Sequence, residues 1–286
     1  MSWFLFALLS VLAMAGSEIT QKVALTRKIN ISAITNNAYI WLIQGVGGFV
    51  IALLIGQFEL LSGWESWLKL IVLAFLYFVG GTAYYTSYKS NSPSVSIVLG
   101  SISVLISTAI GIALFNESTS WIKFVGIGLI LMSIFVINFK KNKFKIDKYN
   151  ALALLGGSLF GIAFSIDKSF VIDLNPFAYL GFMSVSVGVL SFFLKPKHII
   201  NETKRLHRVD FVPMFVIATF GIMFNLFSFL SYSKGGNVGA VDAINNTAVF
   251  FVIIAEVLLL NDRGDLLRKV VAAVIAISGI GLLSLI

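Results

Sequence analysis

Residues 93–115 read PSVSIVLGSISVLISTAIGIALF and close on Asn116-Glu117, and residues 238–260 read VGAVDAINNTAVFFVIIAEVLLL and close on Asn261-Asp262. Each run is apolar enough, and at about 1.5 Å per helical residue long enough, to cross a hydrocarbon core of about 30 Å. The two runs lie 145 residues apart. Working outward from them, ten such stretches are predicted, at 2–24, 33–56, 66–88, 93–115, 121–139, 151–172, 176–194, 210–232, 238–260 and 265–286. The same shift lays Lys89 on Lys234, Lys123 on Arg268 and Ser133 on Ser278. A shift of 146 lays Ala7-Leu8-Leu9 on Ala153-Leu154-Leu155 and Lys22 on Lys168. The predicted fold is all-α and integral to the membrane, with ten transmembrane helices in two repeats. The first repeat covers 1–139 and the second 150–286, joined by a basic linker at 140–149. Five helices is an odd number, so the halves enter the membrane in opposite senses. An inverted repeat of this kind places a solute site near the midplane, between the halves.

Composition agrees. Hydrophobic residues make up 58% of the chain and charged residues 12%, about half the charge of a soluble domain. No soluble domain and no cleavable signal are expected. Cysteine is absent, which excludes disulfides, thiolate metal sites and thiol nucleophiles. The net charge of +8 sits in short loops and does not point to nucleic acid. Of 21 Lys and Arg residues, 17 fall in the loops after spans one, three, five, seven and nine or on their flanks. Lys69, Lys123, Lys168 and Lys234 fall on the other face. Basic loops stay in the cytoplasm, so both termini are expected outside.

Several segments resemble the drug/metabolite transporter superfamily in its ten-helix EamA-like branch. The first helix ends Gly16-Ser17-Glu18-Ile19-Thr20-Gln21-Lys22, with Ala163-Phe164-Ser165-Ile166-Asp167-Lys168 as its counterpart. Helices four and nine run into the acidic turns Phe115-Asn116-Glu117-Ser118 and Leu260-Asn261-Asp262-Arg263. Gly126-Ile127-Gly128-Leu129 and Gly279-Ile280-Gly281-Leu282 follow. The resemblance implies a secondary transporter of small organic solutes. Its cavity would be lined by the first four helices of each half and braced by helices five and ten. It also implies cytoplasmic termini, against the charge count. A multi-pass protein of a bacterial or archaeal plasma membrane is expected, monomeric or weakly dimeric, with a solute and the bilayer as partners.

Polar residues inside spans are costly and usually face the bundle interior. Asn37, Trp41, Gln44 and Gly48 share one face of the second helix. They suit either a solute site or an interhelical hydrogen bond with close packing. Asp242, Asn245 and Asn246 cluster on the ninth helix opposite Ile97, Gly100 and Ser101, and a cluster confined to one half favours solute contact. Glu256 on the same helix reads as interfacial or salt-bridged. Tyr84, Tyr85 and Tyr88 close the third helix as an interfacial belt or an aromatic wall. Asn225 is a further cavity candidate. The expected solute-binding set is thus Trp41, Gln44, Tyr84, Asn225, Asp242, Asn245 and Asn246. Coupling or gating falls to Glu18 with Lys22, read as an i, i+4 ion pair at the cavity mouth, and to Asp167 with Lys168. A buried carboxylate among them could carry a coupling proton.

The chain lacks a phosphate-binding loop, H-E-x-x-H, G-x-S-x-G and an aspartate-rich diphosphate motif, and both histidines fall in one loop. Neither an enzyme nor a cofactor is expected. The solute is expected to be cationic or zwitterionic. A flippase for a lipid-linked carrier is the alternative, and it would require a basic cluster at the midplane.

Overall fold

The computed structural model describes residues 2–25, 31–117, 120–140, 143–144, 146–261 and 264–284. Arg27, Lys28, Lys141, Lys145, Asp262 and Arg263 lie outside this set. The helices are α1 (Trp3–Val23), α2 (Ala33–Leu54), α3 (Trp64–Ser87), α4 (Pro93–Gly100), α5 (Ile102–Phe115) and α6 (Trp121–Asn138) in the first half. The second half holds α7 (Lys148–Val171), α8 (Pro176–Leu194), α9 (Pro196–Thr203), α10 (Phe211–Ser233), α11 (Val238–Asn246), α12 (Ala248–Leu259) and α13 (Leu266–Ser284). Among the described residues, eight segments are long and apolar enough to cross a membrane: α1, α2, α3, Pro93–Phe115, α7, α8, Arg208–Ser233 and Val238–Leu259. The molecule is a helical, multi-pass integral membrane protein. In the linker, β1 (Phe139–Lys140) pairs antiparallel with β2 (Lys143–Phe144).

Local chemistry sets the ends. The Ser32 side chain accepts from Thr35 N, Asp147 from Tyr149 N and Asn150 N, and Asn175 from Phe177 N. Each satisfies amides that a first helical turn leaves orphaned. Pro93 and Pro176 occupy first turns, where a missing N–H costs nothing. Asn116 and Asn261, one shift of 145 apart, are both left-handed, with φ of 50° and 53°. Asparagine tolerates that conformation at a helix end.

Spans four and nine were expected as continuous helices, and both are broken. The breaks fall at Ser101 and Thr247, 146 residues apart. Ser101 Oγ bonds back to Ile97 O at 3.0 Å, and Thr247 Oγ1 to Ile244 O at 2.7 Å. Val104 N donates to Ser101 O and Phe250 N to Thr247 O, so the ladder tightens to i→i−3 at each break. A hydroxyl competing for helix carbonyls produces this local narrowing.

Packing is mostly between halves: α1 against α10, α2 against α8, α3 against α7, α5 against α11, α4 against α12 and α6 against α13. Small residues let the backbones approach. A Cβ at Gly157 would lie 2.5 Å from Gly100 O, one at Gly161 2.6 Å from Ser103 O, and one at Gly279 2.6 Å from Gly126 O. The outer surface is apolar, with Leu54, Trp64, Leu114, Trp121, Phe193 and Leu267 all exposed. The interior holds many of the polar groups, an inversion that a lipid solvent permits.

Candidate functional site

A cavity of about 100 Å³ opens between the halves, walled by α1, α2, α3, α7, α10 and α11 and by residues flanking the break at Ser101. All seven residues expected to bind solute line it, together with Glu18. Lys22, Asp167 and Lys168 are not in its wall.

The amide groups are tied across the halves. Asn225 Nδ2 donates to Gln44 Oε1 at 2.9 Å, linking α10 to α2. Gly221 leaves the space into which the Gln44 amide fits. Asn245 accepts from Ser10 Oγ of α1 and donates Nδ2 to Ser228 Oγ at 3.1 Å. Asp242 accepts from Ser107 Oγ at 3.0 Å and from Asn246 Nδ2 at 2.9 Å. Ser101 Oγ donates to Asn246 Oδ1 at 3.3 Å, so the two broken spans meet at their breaks. Such interhelical hydrogen bonds position the wall before any solute arrives.

The opposite wall is aromatic. Trp41 and Tyr77 have ring centroids 5.2 Å apart, Tyr77 and Phe160 6.0 Å, and Tyr84 and Phe160 5.6 Å. Phe160 and Phe164 stack at 6.0 Å. Tyr84 is 3% exposed and Tyr88 fully buried, so these two form no interfacial belt; Tyr84 belongs to the cavity wall.

The expected ion pair of Glu18 with Lys22 does not form. The Lys22 ammonium is held by the carbonyls of Tyr88 and Asn91, the latter at 2.8 Å. Those carbonyls belong to the α3–α4 turn, where a cation satisfies the orphan acceptors at a helix end. Lys168 turns to Glu117 at 3.0 Å, with the Phe115 ring 4.9 Å away. Asp167 instead accepts from the hydroxyls of Tyr77 and Tyr179, the latter at 2.5 Å. It lines a smaller cleft with Asn225 and Asn245.

Among the described residues, two buried carboxylate–lysine pairs lie outside the cavity's lining. Glu256 accepts from Ser94 N at 2.6 Å, Ser94 Oγ at 2.7 Å and Lys269 Nζ at 3.0 Å. It thus caps the first turn of α4 from the other half, which makes it salt-bridged rather than interfacial. Glu117 accepts from Val238 N at 2.8 Å as well as from Lys168, and so caps α11. A carboxylate at a helix start is favoured by its orphan amides and dipole. Gly111, the counterpart of Glu256 under the shift of 145, is bare because the Glu117 carboxylate occupies its side-chain space: a Cβ there would lie 2.5 Å from Oε2.

Outside the spans, His198 and Glu202 of α9 are not simply solvated. Glu202 accepts from Ser32 N at 3.1 Å and Ser32 Oγ at 2.8 Å, and His198 lies 2.8 Å from the same hydroxyl. Partial burial pushes the Glu202 carboxyl up, but hydrogen bonds from Thr35 and Ser32 and the charge of His198 outweigh it and hold the group below its ordinary value.

Asn37, of the polar face expected on the second helix, lines the cavity too, and so do Gln21, Tyr77, Phe160 and Phe164, which were not among the expected site residues. Gln21 sits three residues from Glu18, and Tyr77 one i+7 step before Tyr84, so helical spacing held their signal. Phe160 and Phe164 carry no such mark, since phenylalanine faces lipid as readily.

A cavity between helices of a membrane bundle, with polar side chains set among aromatic ones, fits a solute transporter. The family model of EamA-like transporters matches residues 1–139 and 148–285, and the chain belongs to the EamA-like transporter family. A solved structure described only as a crystal structure of a protein is 15% identical. The match covers 98% of this chain and 96% of that one, with a TM-score of 0.71, a likeness of fold. No curated protein matches the sequence.

Proposed function

We propose that the protein is a secondary active transporter of a small organic solute, cationic or zwitterionic, working by alternating access around this cavity. The observation that carries the reading is the cavity itself. Both halves wall it, and among its lining residues Glu18, Gln21 and Asn37 carry buried polar atoms that have no partner among the described residues. Such atoms are costly unless a ligand satisfies them.

The packing supports ten spans in two inverted repeats. Exchanging the halves turns the contact of α1 with α10 into that of α7 with α3. It turns the contacts of α1 with α11 and α12 into those of α7 with α4 and α5, and leaves α2–α8 and α6–α13 as self-equivalent pairs. Rocking one half on the other would repack these contacts without unfolding a helix. Glu18 faces the cavity and Asp167 is tied to tyrosines, so a coupling ion would meet Glu18 first. The cavity's described lining contains no Lys, Arg or His, which speaks against a phosphate-bearing lipid carrier.

The test is uptake into proteoliposomes. Gln44→Ala and Asn245→Ala each abolish uptake while leaving the protein inserted and folded. Unchanged uptake in both removes this cavity as the solute site.

A further inference from the structure

The cavity's described lining carries two carboxylates, and they differ. Asp242 is satisfied by Ser107 and Asn246. Glu18 is only 4% exposed, and its Oε2 is buried without a partner. The lysine one turn further along α1 is drawn off to Tyr88 and Asn91. Beside Glu18 on the same helix face, Gln21 donates Nε2 to Asn37 Oδ1 across a long 3.4 Å. This leaves Gln21 Oε1 and Asn37 Nδ2 unpartnered. Turning both amides over would still leave one free acceptor and one free donor. Among the described residues, the cavity wall therefore holds a carboxyl oxygen, a neutral acceptor and a neutral donor without partners, beside the rings of Trp41, Tyr77, Tyr84 and Phe160.

The complement of that set is specific. A positive charge answers Glu18 and the aromatic faces. N–H donors answer Glu18 and Gln21, which a quaternary ammonium cannot supply. An oxygen beside the nitrogen answers the amide donor. An anion would place like charge against Glu18, and beside a neutral solute the unpartnered carboxyl would hold a proton rather than a charge, so that only a cation engages it as an ion. Resting on the reading of this cavity as the solute site, we infer that it binds a small primary ammonium ion carrying a neighbouring oxygen acceptor, with Glu18 as counter-ion and the Gln21–Asn37 pair reading the adjacent groups.

Titration calorimetry on the purified protein in lipid nanodiscs, with four near-isosteric probes, tests this. The probes are phenylethanolamine, its N,N,N-trimethyl derivative, phenylethylene glycol and mandelate. Phenylethanolamine binds tightest and mandelate weakest. Glu18→Gln weakens phenylethanolamine by about tenfold or more, the worth of one charge-assisted hydrogen bond. The unliganded variant unfolds at or above the parent's temperature, showing that the loss is not misfolding. Gln21→Leu gives a smaller loss. Glycol or mandelate binding as tightly as the amine overturns the inference. So does an unchanged Glu18→Gln variant, or no binding of the amine at all. Flux in proteoliposomes separates the two readings. Glycol or mandelate flux without amine binding keeps the transporter and removes the ammonium assignment. Glu18-dependent amine binding without flux of any probe keeps the site and removes the transport function.

Discussion

Replacing Glu117 by alanine tests whether the bracket between the broken spans holds the halves together. The carboxylate receives Lys168 Nζ at 3.0 Å and Val238 N at 2.8 Å, with the two charged side chains 4% and 10% exposed. Two charge-assisted hydrogen bonds at about 1.5–3 kcal/mol each and the loss of one partner from a buried ion pair at about 3–5 kcal/mol give the same magnitude. Phe115 retains some hold on the stranded ammonium, worth about 0.5–2 kcal/mol, so the loss is expected near 3 kcal/mol. The geometry also predicts a rescue. Because Glu117 fills the space of Gly111, and because Glu256 stands at the counterpart position, Gly111→Glu combined with Glu117→Ala supplies the carboxylate from the helix itself. The pair is expected to recover more than about half the loss, well beyond the roughly 0.5 kcal/mol scatter of additive sites. Gly111→Gln with Glu117→Ala gains the same helix propensity, about 1 kcal/mol, without the charge, and recovers less. Equilibrium unfolding in mixed micelles, titrated with dodecyl sulfate and followed by circular dichroism, reads all three. A double variant no more stable than Glu117→Ala, or one matched by the glutamine control, refutes the reasoning.

Three further outcomes are expected. Gly157→Ala drives a Cβ against the backbone of Gly100, which cannot yield, and lowers stability by about 1–3 kcal/mol or more. Gly128→Ala, with open space around it, is neutral or stabilising by up to about 1 kcal/mol, and thermal unfolding of the two variants separates these signs. An NMR titration of the Glu202 carboxylate has its midpoint below the ordinary 4.5. The tie of α9 to Ser32 is therefore fully present above that value and is lost as pH falls through the depressed one; a midpoint at or above 4.5 refutes it. Ser2→Cys labels from outside and Lys143→Cys only from inside, as the basic loops require; the reverse pattern sides with the family's cytoplasmic termini.

Eight of the ten expected spans were legible from the length of their apolar runs, and much of the cavity's lining was legible from helical periodicity. Asn37, Trp41 and Gln44 at four and three residues, and Asp242, Asn245 and Asn246 at three and one, must share helix faces, and polar faces in lipid turn inward. What escaped was whatever depended on a partner from elsewhere in the chain. Glu18 and Lys22 have the spacing of an ion pair, but an isolated pair on a helix is worth only about 0.2–0.5 kcal/mol. The carbonyls of Tyr88 and Asn91, both buried residues, win the lysine. Spacing lists the contacts that are possible, and burial selects among them. The breaks at Ser101 and Thr247 were hidden for a related reason: serine and threonine also sit in unbroken helices, and only the bond of Ser101 to Asn246 of the other span sets that serine apart.

The same selection separates structural polar residues from those left for a solute. The other buried carboxylates of the described interior each find donors on another element. Asp167 takes two tyrosines, Asp242 a serine of α5, Glu117 a lysine and a helix start, and Glu256 a lysine and a helix start. A low-dielectric interior makes each of these pairings worth keeping and each omission expensive. Evenly distributed omissions would mark a poorly satisfied core. Other buried polar atoms without partners, at Asn36, Thr82, Tyr88, Asn91, Thr108 and Ser120, belong to residues outside the cavity's lining, whereas those of Glu18, Gln21 and Asn37 belong to lining residues on neighbouring helices α1 and α2. Carboxylate count would have placed Asp167, Asp242 and Glu18 on equal footing as solute contacts. Asking which of them the protein has not already satisfied leaves Glu18.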